Sequence, residues 1–201
     1  VDKDRVVLTS GAKPGDAIVI TKGIAVEGTA ILAREAADTL TAHGVGADVI
    51  DRATEFLFSP GISVVRDASI AVDAAPVHAM HDPTEGGLVG GLLEMAMGAG
   101  VGMEIDRTSI PVLPETQAVC DALGLDPLGL IASGSLLAAV APDDVQALTT
   151  ALGDAGIGAF DIGRVTDKSQ GLRMGTASGN VDLPRFERDE LARFFGRDET
   201  S

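Results

Sequence analysis

The residues with the clearest chemical potential lie together in the segment His81 to Leu88, which reads His-Asp-Pro-Thr-Glu-Gly-Gly-Leu. A short apolar run precedes this segment and apolar residues at helical spacing follow it, so the pattern predicts a strand, a turn and a helix. The first turn of a helix has unpaired N–H groups and a partial positive charge, which favour phosphate or another anion. The paired glycines Gly86 and Gly87 would let such a ligand approach the backbone closely.

Side chains of the same turn could take part in catalysis. Histidine titrates near neutral pH, so His81 could act as an acid or base, and Asp82 and Glu85 could hold Mg²⁺ through oxygen. A structural interpretation stays open, in which Thr84 caps the helix, Glu85 complements its dipole and His81 is a half-buried strand-end residue. The segment contains neither a Walker A pattern nor G-x-G-x-x-G, so it is not one of those nucleotide-binding loops.

The elements that must position this turn alternate along the chain. Short apolar runs predict strands at 17–21, 77–81, 101–106, 135–140 and 159–165, and 171–175 is expected to pair with the last of them. Apolar spacings of three and four predict helices at 26–43, 47–58, 62–74, 88–99, 114–124 and 143–152, with an amphipathic segment at 183–195. This order predicts an α+β fold with three layers, α/β/α, around a mixed sheet. The stretch 134–165 reads β-α-β, which is half of a ferredoxin-like unit.

Composition excludes several classes of function. The chain has 201 residues, of which 45% are hydrophobic, and 15 basic against 30 acidic residues give a net charge of −15. Nucleic acids and anionic membranes attract clustered Lys and Arg, so we expect neither partner. No apolar run reaches the ~18 residues that cross a bilayer, which favours a cytoplasmic protein. Strong acidity with only four lysines is typical of halophilic proteins, although an ordinary acidic cytosolic protein is the alternative.

A few single residues receive structural interpretations. Cys120 is the only cysteine and lies in an apolar helical stretch, so we expect a buried packing residue rather than a nucleophile. Lys22 could reach a phosphate, but a lysine after a strand is more often a solvated charge. The spacing predicts Met95, Met97 and Met103 to fill the core. No cluster of cysteines and histidines predicts a metal site.

Several segments in order resemble one known family. H-D-P-T-E-G-G-L, with L-L-E-M-A after it, resembles the signature of the C-terminal domain of the AIR synthase (PurM) superfamily. Gly23–Ala33, the run from Ala132 to Leu137 and the closing strand Ile162–Val165 are similar to its HypE-like and archaeal AIR-synthase-related subgroup. The resemblance covers about residues 10–170. Two departures, Glu85 in place of a frequent Arg and an end at Ser201 rather than at the terminal Cys of HypE, favour a paralogue of HypE.

The resemblance implies a function and a division of the chain. Members bind ATP and Mg²⁺, mostly through an N-terminal domain that has no counterpart here, and phosphorylate a carbonyl or amide oxygen of a small molecule or protein. By resemblance, residues 1–12 are a linker remnant, 13–175 the C-terminal-type domain, and 176–201 its tail or helix. The full-length protein would be a homodimer, and this chain alone would be inactive. A non-catalytic ligand-binding or interaction module with the same fold is the alternative.

The resemblance also assigns roles within the turn and a second loop. The proposed catalytic residues are His81 and Asp82. The proposed phosphate- and substrate-binding residues are Thr84, Glu85, Gly86, Gly87, Ser133 and Gly134.

Overall fold

The computed structural model describes residues 6–196 of the chain. Its strands are β1 (Ala17–Thr21), β2 (Val77–His81), β3 (Gly102–Asp106), β4 (Leu137–Val140), β5 (Ala159–Thr166), β6 (Leu172–Thr176) and β7 (Gly179–Asp182). Its helices are α1 (Val26–Glu35), α2 (Ala37–Ala42), α3 (Ala47–Thr54), α4 (Val65–Ala74), α5 (Gly87–Ala99), α6 (Pro114–Leu123), α7 (Val145–Asp154) and α8 (Glu190–Phe195). The predicted strands are therefore present, with boundaries that differ by at most two residues.

The described strands form one seven-stranded sheet in the order β2-β4-β1-β5-β3-β6-β7. Neighbours are antiparallel except β3 and β6, so the sheet is mixed, as predicted. The predicted β-α-β unit consists of β4, α7 and β5, and β1 lies between its two strands as in a ferredoxin-like half. The expected pairing of 171–175 with β5 is wrong. Because β1 and β3 occupy both edges of β5, β6 pairs instead with the other edge of β3.

Strand β1 lies between two helical layers. Its side chains alternate between faces, so Ile18 and Ile20 belong to a core shared with α1, α5 and α6. Ala17 and Val19 belong to a second core with α4 and α7. Every residue of β1 is buried, and each buried isoleucine contributes about 1.5–3 kcal/mol to folding. Helices on both faces of the sheet confirm the predicted three-layer fold.

Some predicted helices are shorter than their sequence patterns. The helix expected over 26–43 divides into α1 and α2 at Ala36, whose backbone angles of φ −118° and ψ 23° leave the helical region. The helices expected over 47–58 and 62–74 lose residues at their facing ends, because the connection between α3 and α4 runs from 55 to 64. Part of that connection lies against the candidate site.

The core contains most of the sulfur-bearing residues that were expected there. Cys120 is fully buried, and burial disfavours the thiolate and raises its pKa to about 12, so this thiol is a packing group. Met95 and Met103 are fully buried, as predicted. The prediction for Met97 is wrong, since its side chain is 73% exposed. Two residues along an α-helix rotate a side chain by about 200°, which places Met97 opposite Met95.

Both ends of the described chain pack on the domain. The hydroxyl of Thr9 donates to the carbonyl of Met80 at 3.1 Å, and a Cβ on Gly11 would lie 1.9 Å from the carbonyl oxygen of His78. The segment expected as a linker over 1–12 therefore includes residues that contact β2, while residues 1–5 lie outside the described part. The expected tail over 176–201 includes β7 and α8, and residues 197–201 also lie outside the described part.

None of the helices in 6–196 has the length and apolar character to span a bilayer.

Candidate functional site

The predicted turn lies between β2, which ends at His81, and α5, which begins at Gly87. Asp82, Thr84 and Glu85 are exposed. Gly86 and Gly87 have φ angles of 77° and 64°, in the left-handed region that favours glycine. The strand, turn and helix therefore have the predicted order, and the polar side chains of the turn face solvent.

Gly87 serves close packing of the protein on itself. A Cβ at this position would lie 2.6 Å from the carbonyl oxygen of Leu128 and 2.7 Å from that of Leu130. The absence of a side chain thus lets the start of α5 contact the backbone of the 128–130 segment. The close approach that the sequence assigned to a ligand is made here by the chain itself.

The second predicted loop meets the turn directly. The amide of Ala132 donates to the carbonyl of Thr84 at 3.2 Å, which places the loop with Ser133 and Gly134 beside the turn. Gly134 has a φ of 110°, and a Cβ on it would lie 3.1 Å from the carbonyl oxygen of Gly61. Three loops that are distant in sequence, at 58–64, 82–87 and 131–135, therefore converge.

The amide of Gly86 already has an anionic partner. It donates to Oδ2 of Asp189 at 2.8 Å, and Oδ1 of the same carboxylate accepts from the amides of Leu191 at 2.8 Å and Ile131 at 3.3 Å. Asp189 lies in the C-terminal segment, residues 183–195, which the sequence did not connect with the turn. A cavity of about 660 Å³ adjoins this contact, between Glu85 and the same C-terminal segment.

Both ring nitrogens of His81 have partners. Nε2 lies 2.9 Å from Oε2 of Glu94 on α5, and Nδ1 lies 3.4 Å from the hydroxyl of Thr9. The imidazole is half-buried, with a side-chain exposure of 17%. This geometry matches the structural interpretation that the sequence left open, and proton transfer by Nε2 would require Glu94 to move.

Asp82 is exposed to solvent, but charges on neighbouring strands and helices act on its carboxyl group. Partial removal of water by the surrounding protein raises the pKa of its carboxyl group, and the charges of Glu27 and Asp67 act in the same direction. His81 and Lys22 oppose this rise. Asp82 is therefore a more basic carboxylate than one in free solution.

The solvated role expected for Lys22 is wrong. Its side chain is only 7% exposed, and Nζ lies 3.3 Å from Oδ2 of Asp67, which is 1% exposed. Nζ also donates to the carbonyls of Ser63 at 2.8 Å and Gly61 at 3.4 Å. The physical reason is that the 58–64 loop and α4 cover the end of β1 and supply acceptors for the ammonium group.

Sequence reasoning also missed Asp67. Its carboxylate accepts a hydrogen bond of 2.7 Å from the hydroxyl of Thr21 in addition to the ion pair with Lys22. Asp67 lies four residues before the buried Ala71 and therefore on the buried face of α4. The sequence signal that could have identified Asp67 is an acidic residue on an otherwise apolar helical face.

Metal ligands are sparse in the described part of the chain. Within residues 6–196, no three His, Cys, Asp or Glu side chains converge in a way that could hold a metal ion. The exposed carboxylate of Asp82 fits the oxygen chemistry of Mg²⁺, but other ligands of such an ion would have to come from the nucleotide or another domain.

Comparison with known proteins places this geometry in a family. Residues 13–174 match the family described as AIR synthase related protein, C-terminal domain. A carbamoyl dehydratase HypE of Rhizobium leguminosarum bv. viciae is 32% identical over 153 residues, which cover 72% of this chain and 38% of the relative. A Methanocaldococcus jannaschii protein named for hydrogenase expression and formation is 33% identical over 191 residues, covering 92% of this chain and 52% of the relative.

A solved structure extends the comparison to three dimensions. The crystal structure of hydrogenase maturation protein HypE in complex with ATP matches with a TM-score of 0.67 at 25% identity, covering 94% of this chain and 56% of that chain. The matches thus cover 38% to 56% of the length of these three proteins. With the family match extending over 13–174, the chain belongs to the family of AIR synthase related proteins, in the part that forms their C-terminal domain.

Proposed function

We propose that this chain forms the C-terminal part of an ATP-dependent, HypE-like enzyme that phosphorylates a carbonyl or amide oxygen. The support is its membership of the AIR-synthase-related family together with relatives named as carbamoyl dehydratase and hydrogenase formation protein. A relative of the same fold has been crystallised with ATP. In this proposal a further domain holds the nucleotide and most of the Mg²⁺ ligands, and the complete protein is a cytoplasmic homodimer whose acidity reflects a halophilic source.

Within such an enzyme, the three converging loops would form one wall of the reaction cleft. ATP with Mg²⁺ supplies the phosphoryl group and neutralises charge that develops on it. The exposed carboxylate of Asp82, whose pKa is raised, would accept a proton from the substrate. The hydroxyls of Thr84 and Ser133 would bind substrate or phosphate oxygens. His81, held by Glu94, would fix the end of β2 from which Asp82 projects.

The observation that carries the proposal is the convergence of the 82–87 turn with the 131–135 loop. The hydrogen bond from Ala132 to Thr84 joins the two segments that the family resemblance assigns to substrate binding. Gly134 adds the third loop, since its missing Cβ leaves room for the backbone at Gly61. These contacts bring together groups that are about 50 and 70 residues apart in sequence, on one side of the domain.

A non-catalytic ligand-binding or interaction module is the second candidate. The observation that favours it is the contact between Asp189 and Gly86, because a carboxylate of the chain itself occupies the amide that phosphate would need. In that case Asp82 would have no role in turnover.

Turnover of ATP in a complete enzyme distinguishes the two candidates. The test compares Asp82→Asn with Asp154→Asn, a control at the exposed end of α7, in this chain joined to the ATP-binding domain of a HypE-like relative. We expect Asp82→Asn to lower ATP hydrolysis by roughly 100-fold, since a positioned proton acceptor contributes 10²–10⁴-fold. Equal turnover of both variants would favour the non-catalytic module.

A further inference from the structure

We propose that Lys22 is a positioning residue of the candidate site, which acts through the 61–63 backbone on Gly134 and through Asp67 on the base of the 131–135 loop. This inference rests on the proposed function, because it assigns Lys22 to the wall of the same cleft. Lys22 lies at the end of β1, directly before the connection that leads into α1.

The first support is the burial of a charged pair. Lys22 and Asp67 expose 7% and 1% of their side chains, and their charged atoms are 3.3 Å apart. Removing two charges from water is costly, and an apolar pair of similar size commonly stabilises a fold as well or better. A buried ion pair at the edge of a candidate site therefore calls for a role beyond stability.

The second support is the path from Lys22 to Gly134. Nζ binds the carbonyl oxygens of Gly61 and Ser63, so the ammonium group fixes this backbone segment from below. The same segment packs on Gly134, where a Cβ would lie 3.1 Å from the carbonyl oxygen of Gly61 and 3.2 Å from Cα of Ile62. A displacement of the segment would thus reach the loop assigned to substrate binding.

The third support is a hydrogen-bond chain to the same loop. Oδ1 of Asp67 accepts from the hydroxyl of Thr21 at 2.7 Å, and that hydroxyl oxygen accepts from the amide of Leu136 at 3.0 Å. Nζ of Lys22 lies 3.3 Å from Oδ2 of Asp67, at the start of this chain. Both paths from Lys22 therefore end on residues 134–136.

The backbone of Lys22 agrees with a functional constraint. Its φ angle is 62°, which is a left-handed conformation that a side-chain-bearing residue adopts at an energetic cost. Its amide is held by the carbonyl of Gly158 at 2.7 Å, and Ala25, three residues later, has a φ of 58°. Strained residues of this kind concentrate at functional sites.

The decisive variants are Lys22→Met and the double variant Lys22→Met/Asp67→Asn, with Lys13→Met as a control at an exposed lysine before β1. The double variant removes both charges, so the midpoint of its thermal unfolding is expected to lie close to that of the wild type. In the complete enzyme, we expect its kcat to fall at least about 10-fold while the KM for ATP changes by less than about 2-fold. A double variant with wild-type stability and wild-type kcat would overturn the proposal, because the pair would then be purely structural.

A second measurement separates this inference from the proposed function. In the 201-residue chain, amide NMR is expected to show shifts of Ser133 and Gly134 in the double variant and none in the Lys13→Met control. If the wild-type complete enzyme has no ATP turnover but these shifts occur, the proposed function fails and the positioning role stands. If the amides keep their wild-type shifts in a folded double variant, the positioning role fails.

Discussion

Asp189 offers the sharpest test of how the C-terminal segment is held. Its carboxylate caps α8 through the amide of Leu191 and binds the amides of Gly86 and Ile131 on the body of the domain. Loss of an N-cap costs about 1 kcal/mol, and a hydrogen bond to a charged group contributes roughly 1.5–3 kcal/mol. Because Asp189 is only half-buried, we expect Asp189→Ala to weaken docking of the segment by about 2–4 kcal/mol.

Native-state hydrogen exchange measures this cost directly. At about 1.4 kcal/mol per factor of ten, exchange of the Gly86 and Ile131 amides should accelerate roughly 30- to 700-fold in Asp189→Ala. The midpoint of global unfolding should change less, since most residues of the two hydrophobic cores lie outside the segment, which adds only Leu183 to one core and packs Leu191 and Phe194 against it. Glu187→Ala is the matched control, because this exposed carboxylate lies in the same segment. Equal exchange rates in the two variants would refute the assignment of Asp189 as the anchor.

The same variant tests the anion-binding role assigned to Gly86. Asp189→Ala frees the amide that the carboxylate occupies at 2.8 Å. A titration with inorganic phosphate should then shift the Gly86 amide saturably in the variant, whereas the wild type should show no saturable shift. An amide that ignores phosphate in both proteins would remove Gly86 from the proposed binding residues.

The remaining predictions concern the turn and the core. Folding raises the pKa of Asp82 above its ordinary value of 3.8, so its ionisation opposes folding as pH rises through the folded-state pKa. Asp82→Asn should therefore raise the midpoint of thermal unfolding at pH 7, and the difference should vanish below pH 3.8, where the carboxyl is protonated in both states. A difference that persists at low pH would contradict this cause. Cys120, with a pKa of about 12, should resist iodoacetamide at pH 8 in the folded protein and react after unfolding, and rapid native labelling would contradict its burial. Gly87→Ala should lower the unfolding midpoint more than Gly100→Ala does, because both have positive φ but only Gly87 has described backbone, at Leu128, within 3 Å of the new Cβ. Equal losses in calorimetry would show that the conformation, and not the contact, limits these positions.

Local patterns predicted the elements of this fold because their causes are local. The short apolar run of β1 and the paired glycines at the start of α5 determine structure within a few residues of themselves. The division of the helix at Ala36 has no such signal, since neither proline nor glycine occurs in 34–38. The partner of 171–175 depends on which strand edges are already paired, and a single segment holds no information on that.

The candidate site was predictable only in part, for the same reason. The turn follows from its own residues and the loop at Ser133 from the family resemblance, whereas the groups around them come from distant parts of the chain. The partner of Lys22 lies 45 positions away, at Asp67, and the carboxylate on Gly86 lies 103 positions away. Whether a lysine is solvated or buried depends on such partners, so its residue type alone led to the wrong expectation.

The position of β1 has a consequence for synthesis on the ribosome. This strand is the first of the seven described strands to emerge, yet its two neighbours are β4 and β5, which end at 140 and 166. Until β5 has emerged, the five residues of β1, all buried in the folded protein, stay exposed in the nascent chain. Both edges of the strand then lack their hydrogen-bond partners. Versions of the protein truncated before 166 should therefore aggregate, and chaperone demand during translation should be greatest before β5 emerges.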